Sequence, residues 1–220
     1  MEKQYVDELY HQLRHLYITN DITQKEAIMG LVSHLTQPSK TLGDYVGLLR
    51  FLTWYGEQFL LERVYSAITI SRLRYERVVD IGAGFGWLGR GISNLAGGLP
   101  NLFIDKRQWP LIDIIADIET QNGRKRVLDE MKPNDLIVMG ELLHCLNDPV
   151  GVLRPFSKWP IVAVEYYPEY QPAYRQSYEA QIKEFGCTPI RDISGIFASM
   201  GMRHRLFHEQ PHVIVVAEPI

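Results

Sequence analysis

Cysteine is scarce in this 220-residue chain: Cys145 and Cys187 are the only two, and neither belongs to a Cys-x-x-Cys pair. That excludes a disulfide framework and a zinc ribbon, and it reads as a reduced, cytoplasmic protein. Basic charge is not in excess either. Lys and Arg number 23 against 26 Asp and Glu, for a formal net charge of −3. A nucleic-acid duplex favours a basic face, so such a partner is disfavoured. No apolar run approaches the roughly 20 residues that cross a bilayer. The opening "MEKQYVDELYHQLRHLY" is charged from its second residue and lacks the apolar core of a secretion signal. No membrane partner is therefore expected. Internal repeats and low-complexity segments are missing. The histidines also lack metal-ligand spacing. His11 and His15 fall one helical turn apart without the Glu of a zincin motif, and His204, His208 and His212 span an expected strand–turn–strand. No metal is expected.

What is present suffices for a packed core. Hydrophobic residues make up 46% and charged residues 22%, which fits a globular domain with at most a small appendage. Residues 1–74 read as an N-terminal helical segment. Val6, Leu9, Tyr10, Leu13, Leu16 and Tyr17 form one stripe, and Thr23 with Glu26 fits a capping box. A third helix carries Tyr45–Leu52, and a fourth runs through Phe59, Leu60, Val64 and Ile68. Such a segment suits a lid over a site or a homodimer contact.

From residue 75 the pattern changes. Strands are predicted at Arg77–Ile81, Asn101–Asp105, 111–118, Asp135–Gly140 and 161–167. Helices are predicted at Phe85–Leu95, Asn122–Met131, Gln176–Phe185 and Ile193–Ser199. The end reads as two strands around a Glu209–Pro211 turn. Alternating strands and helices imply an α/β fold: a doubly wound, mostly parallel sheet over residues 75–220, with an antiparallel terminal pair.

The first strand runs into "VVDIGAGFGWLG", residues 78–89. A glycine loop at a strand's carboxyl end lets a ligand rest on bare backbone beside free helix N–H groups. Gly84-x-Gly86-x-x-Gly89 matches the dinucleotide fingerprint, which is weak in isolation. Asp80-x-Gly82-x-Gly84-x-Gly86 is a different pattern. Two features favour it: Gly82 closes the strand, and Trp87 stands where a third fingerprint glycine would then be needed. Asp80 lies inside the strand end, where it can draw a ligand's ammonium group to the pocket.

With these residues the sequence resembles the class I S-adenosylmethionine-dependent methyltransferases over about residues 76–220. The resemblance implies a Rossmann-like fold and S-adenosyl-L-methionine as cofactor. "VVDIGAGFG" looks like the family's first motif, so Asp80, Gly82, Ala83, Gly84 and Gly86 would surround the methionine part. "FIDKR" looks like the end of the second strand, which would put Asp105 on the ribose hydroxyls with Lys106 beside it. A carboxylate suits a vicinal diol because it offers two acceptors to two donors. "ADIET" would put Asp117 on the adenine amino group and Ile118 against the ring. Only Lys106–Pro110 separates the second strand from the third, where the family has a helix, so Asp113 is the alternative to Asp117.

"DLIVMGELLHCLNDP" resembles the fourth strand and following loop of small-molecule methyltransferases. It adds Gly140 and Glu141 to the cofactor's surroundings. It also gives His144 two readings: the base for an O- or N-methyl transfer, or a residue packed beside the cofactor. Histidine's ordinary pKa of about 6.5 suits the first. Glu141 lines the pocket, orients the histidine or caps the segment. Tyr166, Tyr167, Tyr170, Tyr174 and Tyr178 follow the fifth strand and suit an aromatic or sugar-like acceptor, to which Trp54, Tyr55 and Trp87 add if the N-terminal helices fold over. The resemblance thus implies a small-molecule methyltransferase. RNA or protein methylation, and a non-catalytic S-adenosylmethionine-binding scaffold, are the alternatives.

Overall fold

The computed structural model describes residues 58–84, 86–108, 112–166, 190, 192–209 and 212–220. The expected helices before residue 58, the one at Gln176–Phe185, Cys187 and the tyrosines from 167 onward lie outside the described residues, as do the side chains of Tyr166 and Trp87.

Helix α1 (Gln58–Ile70) leads into β1 (Arg77–Ile81), α2 (Trp87–Leu95), β2 (Asn101–Asp105), β3 (Ile114–Ile115), α3 (Gln121–Leu128) and β4 (Asp135–Gly140). A 3-10 turn (Leu143–Cys145), α4 (Pro149–Leu153), β5 (Ile161–Tyr166), α5 (Ile193–Ser199), β6 (Met202–Glu209) and β7 (His212–Pro219) follow. The strands form one seven-stranded sheet in the order β3-β2-β1-β4-β5-β7-β6. Pairing is parallel from β3 through β5, and β7 runs antiparallel to both of its neighbours.

Both faces are covered, which is why the central strands are nearly continuous apolar runs. All six residues of β4 are buried. Side chains alternate between two cores. Val78, Leu136, Val138, Val162, Val164, Ile214 and Val216 meet α1 and α2 through Leu60, Val64, Ile68, Leu88 and Ile92. Val79, Ile81, Ile137, Met139, Ile161, Ala163, Val213 and Val215 meet Val127, Leu153 and Phe197 on the other side. Helix α1 thus shares the sheet's own core.

The third strand is shorter than the expected 111–118. Its ladder ends where the Ala116 amide donates to the Asp105 carbonyl. Asp117 then turns the chain: its Oδ1 accepts the Glu119 amide and its carbonyl accepts that of Thr120. Helix α3 starts there because Thr120 Oγ1 caps the Gly123 amide. Helix α4, absent from the expectation, uses the same device. Asp148 Oδ1 accepts the Gly151 amide, with Pro149 at the first helical position. Asp192 and Gly195 repeat it at α5. In α4 and α5 an added Cβ on the glycine would stand 2.2 Å from the capping carboxylate, so Asp-x-x-Gly works as one unit. Helix α2 begins at Trp87 rather than Phe85, because Gly86 takes a left-handed conformation at the N-cap.

Candidate active site

The glycine loop leaves β1 at the sheet's carboxyl end. Gly82 and Ala83 donate their amides to the Ile104 carbonyl, which fixes the loop to β2. Gly84 has φ +53°, and a Cβ there would meet nothing within 4 Å among the described residues. Among the described residues, bare backbone therefore borders open space there. The Gly84 amide donates to Asp105 Oδ2 at 2.9 Å, and the Arg107 amide donates to Oδ1 at 2.8 Å. A carboxylate has about four lone-pair sites, so Asp105 keeps acceptor capacity. Lys106, next to it, is exposed.

The structure gives Asp80 a different neighbour from the open pocket. It is 1% exposed, and its Oδ2 accepts the Gly89 amide of α2 at 2.8 Å. Burial raises its pKa to about 7, against the pull of the Gly89 hydrogen bond and with the Asp105 charge adding to the rise. Ala83 is buried in the α1–α2 core, so its side chain is a packing group.

Asp117 and Asp113 separate cleanly. Asp117 follows the carboxyl end of β3, half-buried, beside buried Ile118. Asp113 precedes β3, and its Oδ2 accepts the Phe103 amide within β2. Of the two, Asp117 shares the sheet edge with Gly84 and Asp105.

At the end of β4, Gly140 is buried and Glu141 adopts φ +49°, a left-handed conformation that costs a non-glycine residue about 1–2 kcal/mol. The Glu141 amide donates to the Val164 carbonyl at 2.8 Å, which holds the turn against β5. His144 follows in the 3-10 turn, 9% exposed. Its Nδ1 lies 2.9 Å from Glu165 Oε2, and the Leu143 amide donates to Glu165 Oε1 at 2.8 Å. Burial would lower the His144 pKa. Hydrogen bonds with Cys145 and Glu165 and the charges of Glu165 and Glu141 outweigh it, and carry the pKa up to about 11.

Glu165 is the site residue that motif reasoning missed. Its signal was an acid inside the buried run "IVAVEYY", where an ionisable group needs a partner. A groove of about 510 Å³, lined by Tyr65, Leu73, Tyr75 and Leu99 among others, opens at the opposite, amino end of the sheet and holds none of these residues.

No family model matches the sequence, and no curated protein matches it. Solved structures do resemble the fold. An O-methyltransferase family protein from Burkholderia thailandensis is similar at TM-score 0.55 and 12% identity, over 74% of this chain and 55% of its own. Human N-acetylserotonin methyltransferase, solved in complex with S-adenosylmethionine, is similar at 0.51 and 15%, over 86% and 61%. A DUF574 family protein from Streptomyces avermitilis is similar at 0.52 and 12%, over 78% and 84%. The chain thus spans little more than half the length of the two methyltransferases. Sheet order, the antiparallel β7 and these likenesses agree: the chain has the Rossmann-like fold of the class I S-adenosylmethionine-dependent methyltransferases.

Proposed function

We propose that this protein is a cytoplasmic S-adenosylmethionine-dependent methyltransferase acting on a small-molecule acceptor, at oxygen or nitrogen. The observation that carries the reading is the Gly84–Asp105 contact: bare backbone, with open space beside it among the described residues, joined to a carboxylate on the adjacent strand end. The donor set fits an adenosyl group. Asp105, with Lys106 beside it, takes the ribose hydroxyls, and Asp117 with Ile118 takes the adenine. The backbone of Gly82, Ala83, Gly84 and Gly86 takes the methionine part, with Gly140 and Glu141 closing the far side. Asp80 sets the field from behind, through the start of α2.

When bound, this cofactor supplies a methyl group on a cationic sulfur. The protein's share is alignment and exclusion of water. Glu141 and His144, at the β4 end, are the groups that meet the acceptor. Among the described residues no helix is long and apolar enough to cross a membrane. The N-terminal helical segment serves as the lid or the dimer contact in this reading.

The test is calorimetric titration of S-adenosylmethionine into wild type and Asp105→Ala. The expected result is at least a tenfold weaker Kd with a cooperative thermal transition retained. Unchanged affinity rejects the assignment.

A further inference from the structure

At the amino end of the sheet, away from the glycine loop, the chain before β1 meets α1 and the end of α2 around a groove of about 510 Å³. Small-molecule sites run from about 300 to 1,000 Å³, mostly apolar with a few placed polar groups. The walls here are of those two kinds. Tyr65, Leu73, Tyr75 and Leu99, all half-buried, supply aromatic and aliphatic surface. Arg74 and Glu76, both exposed, supply one charge of each sign. We propose that this groove binds a free α-amino acid with an aromatic side chain. The site is separate from the glycine loop and does not rest on the methyl-transfer reading.

Three observations point to that class of ligand. The first is the pair of charges. Arg74 and Glu76 border the same groove from the same short segment, yet they form no ion pair with each other. Among the described residues neither side chain has a salt-bridge or hydrogen-bond partner. A simple anion would answer one of them and a simple cation the other. A zwitterion answers both from neighbouring atoms: its carboxylate takes the Arg74 guanidinium, and its ammonium takes the Glu76 carboxylate.

The second is a helix end. Ala96, the C-cap of α2, also lines the groove. The negative end of that helix adds to Glu76 as a seat for the ammonium group. The third is the aromatic wall. Burial, with the neighbouring Tyr65 adding to it, raises the Tyr75 pKa to about 12. Tyr75 is therefore a neutral phenol at neutral pH, a flat face with a hydroxyl donor. An aromatic side chain packed against such rings gains edge-to-face or offset contact beyond the area it buries, with Leu73 and Leu99 covering the rest. The frame is also built in advance. The Glu76 amide donates to the Asn134 carbonyl at 2.8 Å, and the Val78 amide donates to the Pro100 carbonyl at 3.0 Å. Little ordering is left for the ligand to impose.

Calorimetric titration of the full chain with L-phenylalanine and with L-tryptophan tests the proposal. S-adenosylhomocysteine is present in excess, so that the glycine-loop site is blocked to the probes. At least one of the two amino acids is expected to bind with a Kd of about 1 mM or tighter. 3-Phenylpropionate and phenethylamine, which each lack one of the two charges, should bind at least tenfold more weakly. Arg74→Gln and Glu76→Gln should each weaken the amino acid at least tenfold. Both positions are exposed, so the thermal transition should stay where it is in wild type. Absence of binding by both amino acids overturns the proposal. So does equal binding of either singly charged analogue, which rejects the zwitterion. Affinity that both variants leave unchanged places the amino acid elsewhere and overturns it as well.

Discussion

Asp80 Oδ2 accepts the Gly89 amide at 2.8 Å, tying the buried end of β1 to the first turn of α2. The contact satisfies one of the helix's orphan N–H groups and puts a carboxylate at its positive end. It also explains the fourth glycine of the loop. A Cβ on Gly89 would stand 2.7 Å from Asp80 Cβ and 2.8 Å from Oδ2. In an unencumbered helix Gly→Ala is stabilising by about 1 kcal/mol. Here the close approach reverses the sign, so Gly89→Ala is expected to destabilise by about 1–3 kcal/mol. A rise in Tm would show that β1 and α2 are not clamped as described.

The same contact makes a pH prediction. Asp80's pKa is raised from 3.8 to about 7, burial being the first cause. Between those values the folded state binds more protons than the unfolded, so Asp80's contribution to stability falls as pH rises. The loss is complete above about pH 7 and amounts to at most about 4 kcal/mol. His212 acts in the opposite sense. Burial lowers its pKa to about 4, so its contribution is lost as pH falls below about 6.5. Asp80→Asn isolates the first effect, because it removes the charge and keeps an oxygen for Gly89. In urea denaturation the variant should gain on wild type between pH 5 and pH 8. A constant difference across that range would refute the shift.

The central sheet was readable because its strands are buried on both faces and bounded by polar residues: Arg77–Ile81, Asn101–Asp105 and Asp135–Gly140 appear with the expected limits. Helix α5 likewise appears with the expected limits, Ile193–Ser199. The third strand was overdrawn because "LIDIIADI" is apolar enough for eight residues, while Asp117's side chain ends the ladder early. Helix α4 escaped because five residues hold too little periodicity, although Asp-Pro-x-Gly signals its start. Within the candidate site, Asp105 and His144 came from the resemblance of "FIDKR" and "LLHCLND" to methyltransferase motifs. The direction of Asp80 could not be read: only the path of α2 shows that its carboxylate faces Gly89. Glu165 was invisible to motif reasoning because its partner His144 is 21 residues away.

Gly84 supplies the contrast to Gly89. Its φ of +53° makes alanine unfavourable by about 1–2 kcal/mol, but among the described residues the added methyl meets nothing within 4 Å. Gly84→Ala should therefore keep the fold, with Tm lower by only a few degrees. If the open space beside it is the cofactor cradle, S-adenosylmethionine affinity should drop at least tenfold. Unchanged calorimetric affinity in a folded variant would move the cradle elsewhere.

At the opposite end of the sheet, stability and binding should separate. Arg77 donates from Nε and Nη2 to both oxygens of Asp135, at 2.8 and 2.6 Å, and Nη2 also reaches the Glu130 carbonyl at 2.7 Å. Asp135 is 1% exposed and takes the Lys132 amide as well, so β1, β4 and the chain before β4 meet at one carboxylate. Arg77→Met leaves that carboxylate buried without its counter-charge and should destabilise by about 3–5 kcal/mol. Adding Asp135→Leu removes the stranded charge and should restore part of the loss. Because β1 and β4 carry the candidate site at their other ends, folded Arg77→Met should bind S-adenosylmethionine as wild type does. A binding defect at a temperature where the variant is fully folded would mean that the two ends of the sheet are coupled. A double mutant no more stable than the single would mean that the pair holds the sheet by geometry rather than by charge.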